Sequence, residues 1–331
     1  MNTGNRQQNA APQGRVMAAF TAIYLIWGST YLGIRFAVET LPPFLMGGSR
    51  FLVAGAILYV WQRCQGAPVP ARFHWRNAIV VGALLLGIGN GGVNWAEQRV
   101  ASSIAALLIA ATPLWFAVLD WLRPGGRRPY FQTMIGIATG FAGMVLLVTS
   151  QGKVNSHAID PSGTAALMLA SFCWAAGSLY ARYTPKPEAP LMGVALQMIT
   201  GGMVLLGAGL VVGESAALDW TEVSFRSAVA FVYLTIVGSL IGFTAYSWLL
   251  KVSTPERVST YAYVNPVIAV FLGWACAGEV LTLRTLWAAA IIVLGVIIIT
   301  TRRTAVRLGD KVNELQVMAS SGVPKAGREM P

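Results

Sequence analysis

Trp27-Gly28-Ser29-Thr30-Tyr31-Leu32-Gly33-Ile34-Arg35 has a counterpart later in the chain, Trp174-Ala175-Ala176-Gly177-Ser178-Leu179-Tyr180-Ala181-Arg182. The same offset of 147 pairs Pro43 with Pro190 and Gly55 with Gly202. An offset of 153 pairs Trp95 with Trp248, Pro113 with Pro266 and Trp121 with Trp274. Seven coincidences in two consistent registers mark an internal repeat, and the shift between registers places a longer connection inside the second copy.

Composition says what is being repeated. Of 331 residues, 55% are hydrophobic and 11% charged, with a mean hydropathy of +0.60. A soluble domain carries about 25% charged residues, so this chain lacks the polar side chains to cover a globule. Disordered chains are poor in apolar residues, which excludes disorder. Ten apolar segments can be read, at 16–37, 44–62, 77–97, 100–122, 130–149, 163–183, 190–213, 224–250, 258–277 and 283–301. Each approaches the roughly 20 residues that span a bilayer. The expected fold is an all-α polytopic membrane protein with ten transmembrane helices. It divides into a tail at 1–15, a five-helix repeat at 16–149, a second at 163–301 and a basic tail at 302–331. Because five is odd, the second repeat enters the membrane from the other side. Inverted repeats of this kind are the architecture of many secondary transporters, with the substrate held between the repeats.

Charge orients the chain. The net charge is +11, but the basic residues lie in short connections and the C-terminal tail rather than on one soluble face, which argues against nucleic acid as a partner. One set of alternate connections, with both termini, holds 18 of the 24 Lys and Arg, and the other set holds 4. The positive-inside rule then puts both termini in the cytoplasm, and the location is the cell's inner (plasma) membrane. Cys64, Cys173 and Cys276 are far apart and encode neither a disulfide framework nor a zinc site.

Trp27-Gly28-Ser29-Thr30-Tyr31 with Arg35, Pro42-Pro43 opening the second segment, and Tyr261-Ala262-Tyr263-Val264-Asn265-Pro266 in the ninth resemble the drug/metabolite transporter superfamily. Within it the chain is most similar to the ten-helix EamA-type exporters, near the YedA branch, over about residues 16–301. The resemblance implies two five-helix repeats around a central cavity and export of small metabolites or toxic compounds.

The candidate substrate surface consists of polar and aromatic residues at mid-membrane depth: Trp27 and Thr30, Trp174 and Ser178, Asn90 and Asn94, and Tyr261, Tyr263 and Asn265. Asparagine in hydrocarbon needs partners and is expected to face the bundle interior. Aromatic rings with a few polar groups are the usual lining of a small-molecule site. Pro113 and Pro266 each remove a helix hydrogen bond, which makes them candidate hinges. Arg50, about 9 Å into the second segment at 1.5 Å per residue, and Glu97, at the outer end of the third, are the candidate gating or coupling residues. No carboxylate sits at the midplane, which favours a neutral, zwitterionic or lipophilic solute moved by facilitation or exchange. Proton-coupled drug efflux is the alternative, followed by a non-saturable pore or scramblase.

Other motifs carry no chemistry here. Gly87-Ile88-Gly89-Asn90-Gly91-Gly92 satisfies G-x-G-x-x-G but lies inside a membrane segment, not between a strand and a helix. Close helix packing explains it, as it does the small-residue spacings Gly136/Gly140 and Gly209/Gly213. His74 and His157 fall on opposite faces, so no shared metal is expected, and no cofactor either. Without a nucleophile–base pair the chain does not read as an enzyme. The expected partners are a small-molecule substrate and the lipid bilayer; the sequence leaves open a monomer or a weak dimer.

Overall fold

The computed structural model describes residues 12–123, 131–150, 160–253, 258, 261–295 and 297–298, and among these residues there is helix and no strand. The helices are α1 (Gln13–Ala37), α2 (Pro43–Cys64), α3 (Arg72–Ala96), α4 (Ser102–Leu122), α5 (Phe131–Ser150), α6 (Pro161–Tyr183), α7 (Pro190–Val211), α8 (Phe225–Leu249), α9 (Tyr261–Ala277) and α10 (Leu283–Gly295). Seven are long and apolar enough to cross a bilayer, and shorter apolar stretches lie at Met134–Gly143, Val264–Ala277 and Leu283–Gly295. In hydrocarbon, helices satisfy their own backbone groups, and large apolar side chains such as Trp61, Leu122, Val211 and Phe225 point outward. The chain is an all-α polytopic membrane protein. Most of both expected tails, and His157, lie outside the described residues.

Local signals set the helix ends. Pro43, Pro161 and Pro190 occupy the first turns of α2, α6 and α7, where a missing N–H costs nothing. Asp160 caps α6, accepting from the Ser162 backbone N–H at 2.9 Å. The Ser162 hydroxyl and N–H hold its carboxyl below the usual aspartate range. α7 ends two residues earlier than expected because Gly213 adopts φ +82°, as Gly66 adopts φ +81° after α2; only glycine takes that conformation freely. Gly209 and Gly213 are therefore not a packing pair. Gly209 meets Leu45 and Glu214, and Gly213 faces open space.

The two proline positions behave differently. α4 is broken into Ser102–Ile109 and Thr112–Leu122, with Pro113 in the first turn of the second piece. The Thr112 hydroxyl donates to the Ile109 carbonyl at 2.5 Å and lies 3.1 Å from the Ser171 hydroxyl, so the break is satisfied by side chains. α9 continues through Pro266.

Packing follows a twofold pattern. α1 lies against α8 and α9, and α6 lies against α3 and α4, each first helix crossing to the other repeat. α3 and α8 both widen into π-helices, over Ala83–Asn90 and Leu234–Ile241. α2 and α7 meet on the symmetry axis. A Cβ on Gly55 would stand 2.9 Å from Ile199 N and 3.0 Å from Ala195 O, and one on Gly202 would stand 2.9 Å from Leu52 N and Gly48 O. Adding 147 to Gly48, Leu52 and Gly55 gives Ala195, Ile199 and Gly202, so the contact maps onto itself. α5 and α10 approach as closely, Gly295 lying against Gly136 O and Gly140 N.

The end of the bundle away from the start of α1, the distal end, carries the connections after α1, α3, α7 and α9. There the second repeat supplies carboxylates to the first. Glu214 accepts from the backbone N–H groups of Phe44 and Leu45 at 3.1 and 2.8 Å at the start of α2. Glu279 accepts from Ser102 N and Oγ, both at 2.7 Å, and from Ser103 N at 3.1 Å at the start of α4. Negative charge at a helix N-terminus satisfies free N–H groups and complements the helix dipole. Arg99–Asp160 and Arg226–Glu39 ion pairs, each at 3.4 Å, add further ties. Glu214→Ala is expected to cost about 1 kcal/mol, the usual value of a lost cap, read as a lower melting temperature in detergent; Glu214→Asp should recover part of it.

Candidate functional site

Trp27 organises the proximal half of the inter-repeat region. Its ring centroid lies 5.4 Å from Phe243, 5.1 Å from Tyr246 and 5.0 Å from Tyr261, and Tyr246 and Tyr261 are 6.0 Å apart. Two glycines make this possible. A Cβ on Gly242 would fall 2.6 Å from the Trp27 indole nitrogen, and one on Gly28 would fall 2.7 Å from Ile268. The indole therefore lies on the α8 backbone while α1 presses against α9. Buried Ile23, Leu249 and Val258 close the proximal side beneath the rings.

Trp174 occupies the symmetry-related place, its ring edge 3.2 Å from where a Gly89 Cβ would be. Phe243, Tyr246 and Tyr261 correspond by the 153 offset to Asn90, Val93 and Leu108. A symmetric frame thus carries an asymmetric lining: three aromatic rings on one side, and on the other the Asn90 amide beside apolar Val93 and Leu108.

The polar side is built on α2 and α3. Arg50 is buried, and its Nη2 donates to Asn90 Oδ1 at 2.7 Å, while its Nε has no hydrogen-bond partner. Its guanidinium also lies 4.2 Å from the Phe51 ring. Asn94 is fully buried and donates to the Pro43 carbonyl at 3.3 Å, tying α3 to α2.

Further toward the distal end lies Glu97. Its place one residue past α3 suggests access to solvent, yet it is 0% exposed and neither carboxylate oxygen has a hydrogen-bond partner. Arg35 Nη1 donates to the Glu97 backbone carbonyl at 2.6 Å rather than to its carboxylate. Arg35, Arg50, Glu279 and Tyr31 all lie within electrostatic range.

The structure brings Trp27 together with Tyr261, and Arg50 with Asn90. Two other candidates, Asn265 and Thr30, meet them only at main-chain carbonyls. With its nitrogen turned toward the acceptors around it, the Asn265 amide donates to the Tyr261 and Tyr24 carbonyls at 3.2 and 3.3 Å, a tie between α9 and α1. The Thr30 hydroxyl donates to its own helix at Trp27 O, 2.7 Å away. Ser178 is half-buried on α6, and the Tyr263 side chain lies outside the described residues. Arg50 and Glu97 form no ion pair among the described residues. Phe243, Tyr246 and Glu279 escaped the sequence reading. The three-residue spacing of Phe243 and Tyr246 puts them on one helix face, a signal that marks a shared face but not what it meets. No group of His, Cys, Asp and Glu among the described residues could hold a metal ion.

The EamA-like transporter family model matches the chain twice, at residues 15–149 and 161–301. The chain belongs to that family. This EamA-like transporter is 38% identical over 287 residues to the uncharacterized inner membrane transporter YedA of Escherichia coli (strain K12), covering 86% of this chain and 90% of that one. It is 25% identical to Protein PecM of Dickeya dadantii, over 75% of this chain and 80% of that one. It is also 23% identical to a chloroplastic WAT1-related protein of Arabidopsis thaliana, over 83% and 67%. A solved crystal structure of 20% identity superposes with a TM-score of 0.60, over 87% of this chain and 98% of that one. It shares the fold.

Trp27→Ala in this EamA-like transporter is expected to cost about 2 kcal/mol of stability, below the range for fully buried aromatics because Trp27 is half-buried, through loss of three ring contacts. Trp27→Phe should retain most of it. Thermal unfolding of the purified protein measures both.

Proposed function

We propose that the chain is an inner-membrane secondary transporter that exports small neutral, zwitterionic or lipophilic metabolites, amino acids among them, by alternating access. The observation that carries this reading is the exchange of α1 and α6 between repeats around the self-symmetric α2–α7 contact. Two units so arranged can each adopt the other's conformation, which yields one state open to each side. The aromatic face formed by Trp27, Phe243, Tyr246 and Tyr261 suits an apolar or planar portion of a solute, and the Arg50–Asn90 pair suits a polar end. By the positive-inside rule both termini are cytoplasmic and the distal end faces outward. The five-helix repeats at 16–149 and 163–301 are the units that move.

Reconstitution tests the reading. Labelled neutral and aromatic amino acids should enter proteoliposomes saturably, and faster when unlabelled solute is inside. Trp27→Phe and Asn265→Ala should shift the half-saturating concentration in that assay. Flux that rises linearly with concentration and ignores internal solute would replace the carrier with a pore or scramblase. Proton-coupled efflux is the second reading, and the observation that favours it is the burial of Glu97 without a partner.

A further inference from the structure

Among the described residues, Glu97 is the one buried carboxylate whose side chain the packing described above leaves unused. The charged and titratable groups within electrostatic range of it come from three elements. α1 brings Tyr31 and Arg35, α2 brings Arg50, and the connection after α9 brings Glu279. Arg35 and Arg50 attract a negative charge, but Arg35 gives a donor to the Glu97 main chain and Arg50 gives one to Asn90. Glu279 repels a negative charge, and it is held in place by three hydrogen bonds from the α4 N-terminus. Gly273 is part of the same joint. Glu279 N donates to its carbonyl at 3.1 Å, and a Cβ there would collide with the Glu279 carboxylate. Closure of the distal end thus fixes the Glu279 carboxylate within electrostatic range of the buried Glu97 carboxylate, which no donor reaches. Two carboxylates so placed do not both ionise without cost, and a buried charge without hydrogen bonds is unfavourable.

We propose that Glu97 is a proton-binding site whose occupancy locks the distal end: the proton is held while Glu279 caps α4 and leaves when the two repeats part there. This rests on the alternating-access reading. On opening, Glu279 leaves Ser102 and Ser103 and water reaches Glu97. The Glu97 O–H bond breaks, its electron pair stays on the carboxylate, and the proton passes to that water. Acid therefore favours the closed distal end and alkali the open one.

Cysteine accessibility tests the lock. Val100 is 3% exposed and packs on Gly163 beside this joint, so Val100→Cys is a reporter of opening. Cys64→Ser, Cys173→Ala and Cys276→Ser supply the background, in lipid nanodiscs with a water-soluble maleimide. Each rate is divided by that of Trp220→Cys, an exposed site, which removes the reagent's own pH dependence. In otherwise wild-type protein the ratio should rise about tenfold between about pH 5.5 and about pH 8.5, the range open to a buried carboxyl. Glu97→Gln should hold it low and flat, and Glu279→Gln should raise it at every pH. Glu97→Asp should keep a slope with a displaced midpoint, and it decides the matter if Glu97→Gln fails to fold. A wild-type slope in Glu97→Gln, or a flat ratio in the parent, overturns the proposal. Counterflow of labelled amino acid in proteoliposomes is measured in parallel. Saturable counterflow with a flat ratio sinks the proton site and leaves the carrier; a steep ratio without counterflow keeps the site and removes amino acids as substrates.

Discussion

Leucine at Gly202 is expected to prevent α2 and α7 from docking and to leave no monodisperse protein on size-exclusion chromatography. A Cβ there would already stand 2.9 Å from Gly48 O and Leu52 N and 3.3 Å from Leu52 Cα. These are backbone atoms, which do not rotate away as a side-chain end would, so the two helices must separate. Overpacking by single methylenes costs about 1–3 kcal/mol, and four carbons driven into a backbone exceed that range. Gly55→Leu should fail equally, since Gly55 makes the symmetry-related contact. Gly207→Leu is the control: it lies on the same helix, and nothing comes within 4 Å of its Cβ position. Normal elution and melting of Gly202→Leu would remove the α2–α7 contact from its central place in the fold.

Asn90→Leu is expected to destabilise the protein by about 3 kcal/mol, the cost of leaving a buried charge without its partner. Arg50 is 3% exposed, and Asn90 Oδ1 accepts one of its hydrogen bonds, while its Nε has none. Arg50→Met alone should cost less, because it leaves a neutral, half-buried amide rather than a buried charge without its partner. The double variant should then be more stable than Asn90→Leu alone, since the second change removes the stranded charge. A double-mutant cycle in thermal unfolding gives the coupling directly. Strict additivity would mean that the Arg50–Asn90 bond contributes nothing.

The ten apolar segments and the repeat were legible because bilayer thickness and helix rise leave a one-dimensional trace: about 20 apolar residues per crossing. Trp27, Tyr261, Asn90 and Arg50 were legible as polar or aromatic residues at depth. What they touch was not. Phe243 and Tyr246 read as ordinary membrane aromatics until α8 is laid across α1, and that crossing is set by Gly242, whose role depends on a partner 215 residues away (Trp27). Glu97 stands at the end of α3, a place that suggests access to solvent, yet it is 0% exposed, because burial depends on neighbours that a single helix does not reveal. Asn265 was legible as a motif residue at depth, whereas the tie its amide makes to the Tyr261 and Tyr24 carbonyls was not. The paired π-helices left only clustered glycines in the sequence, which packing alone would also explain.

The one-sidedness of the distal caps has an energetic consequence. Exchange of conformations between two equivalent halves is isoenergetic unless particular residues differ between them. By the repeat offsets, Glu214 corresponds to Ala67 and Glu279 to Gly126, neither of which has a carboxylate to offer. If each cap is worth about 1 kcal/mol, two of them tilt the resting population toward distal closure by roughly 30-fold. On the alternating-access reading proposed above, a molecule built from two near copies would then wait in one posture, and a solute would have to contribute differential affinity of that order to turn it over.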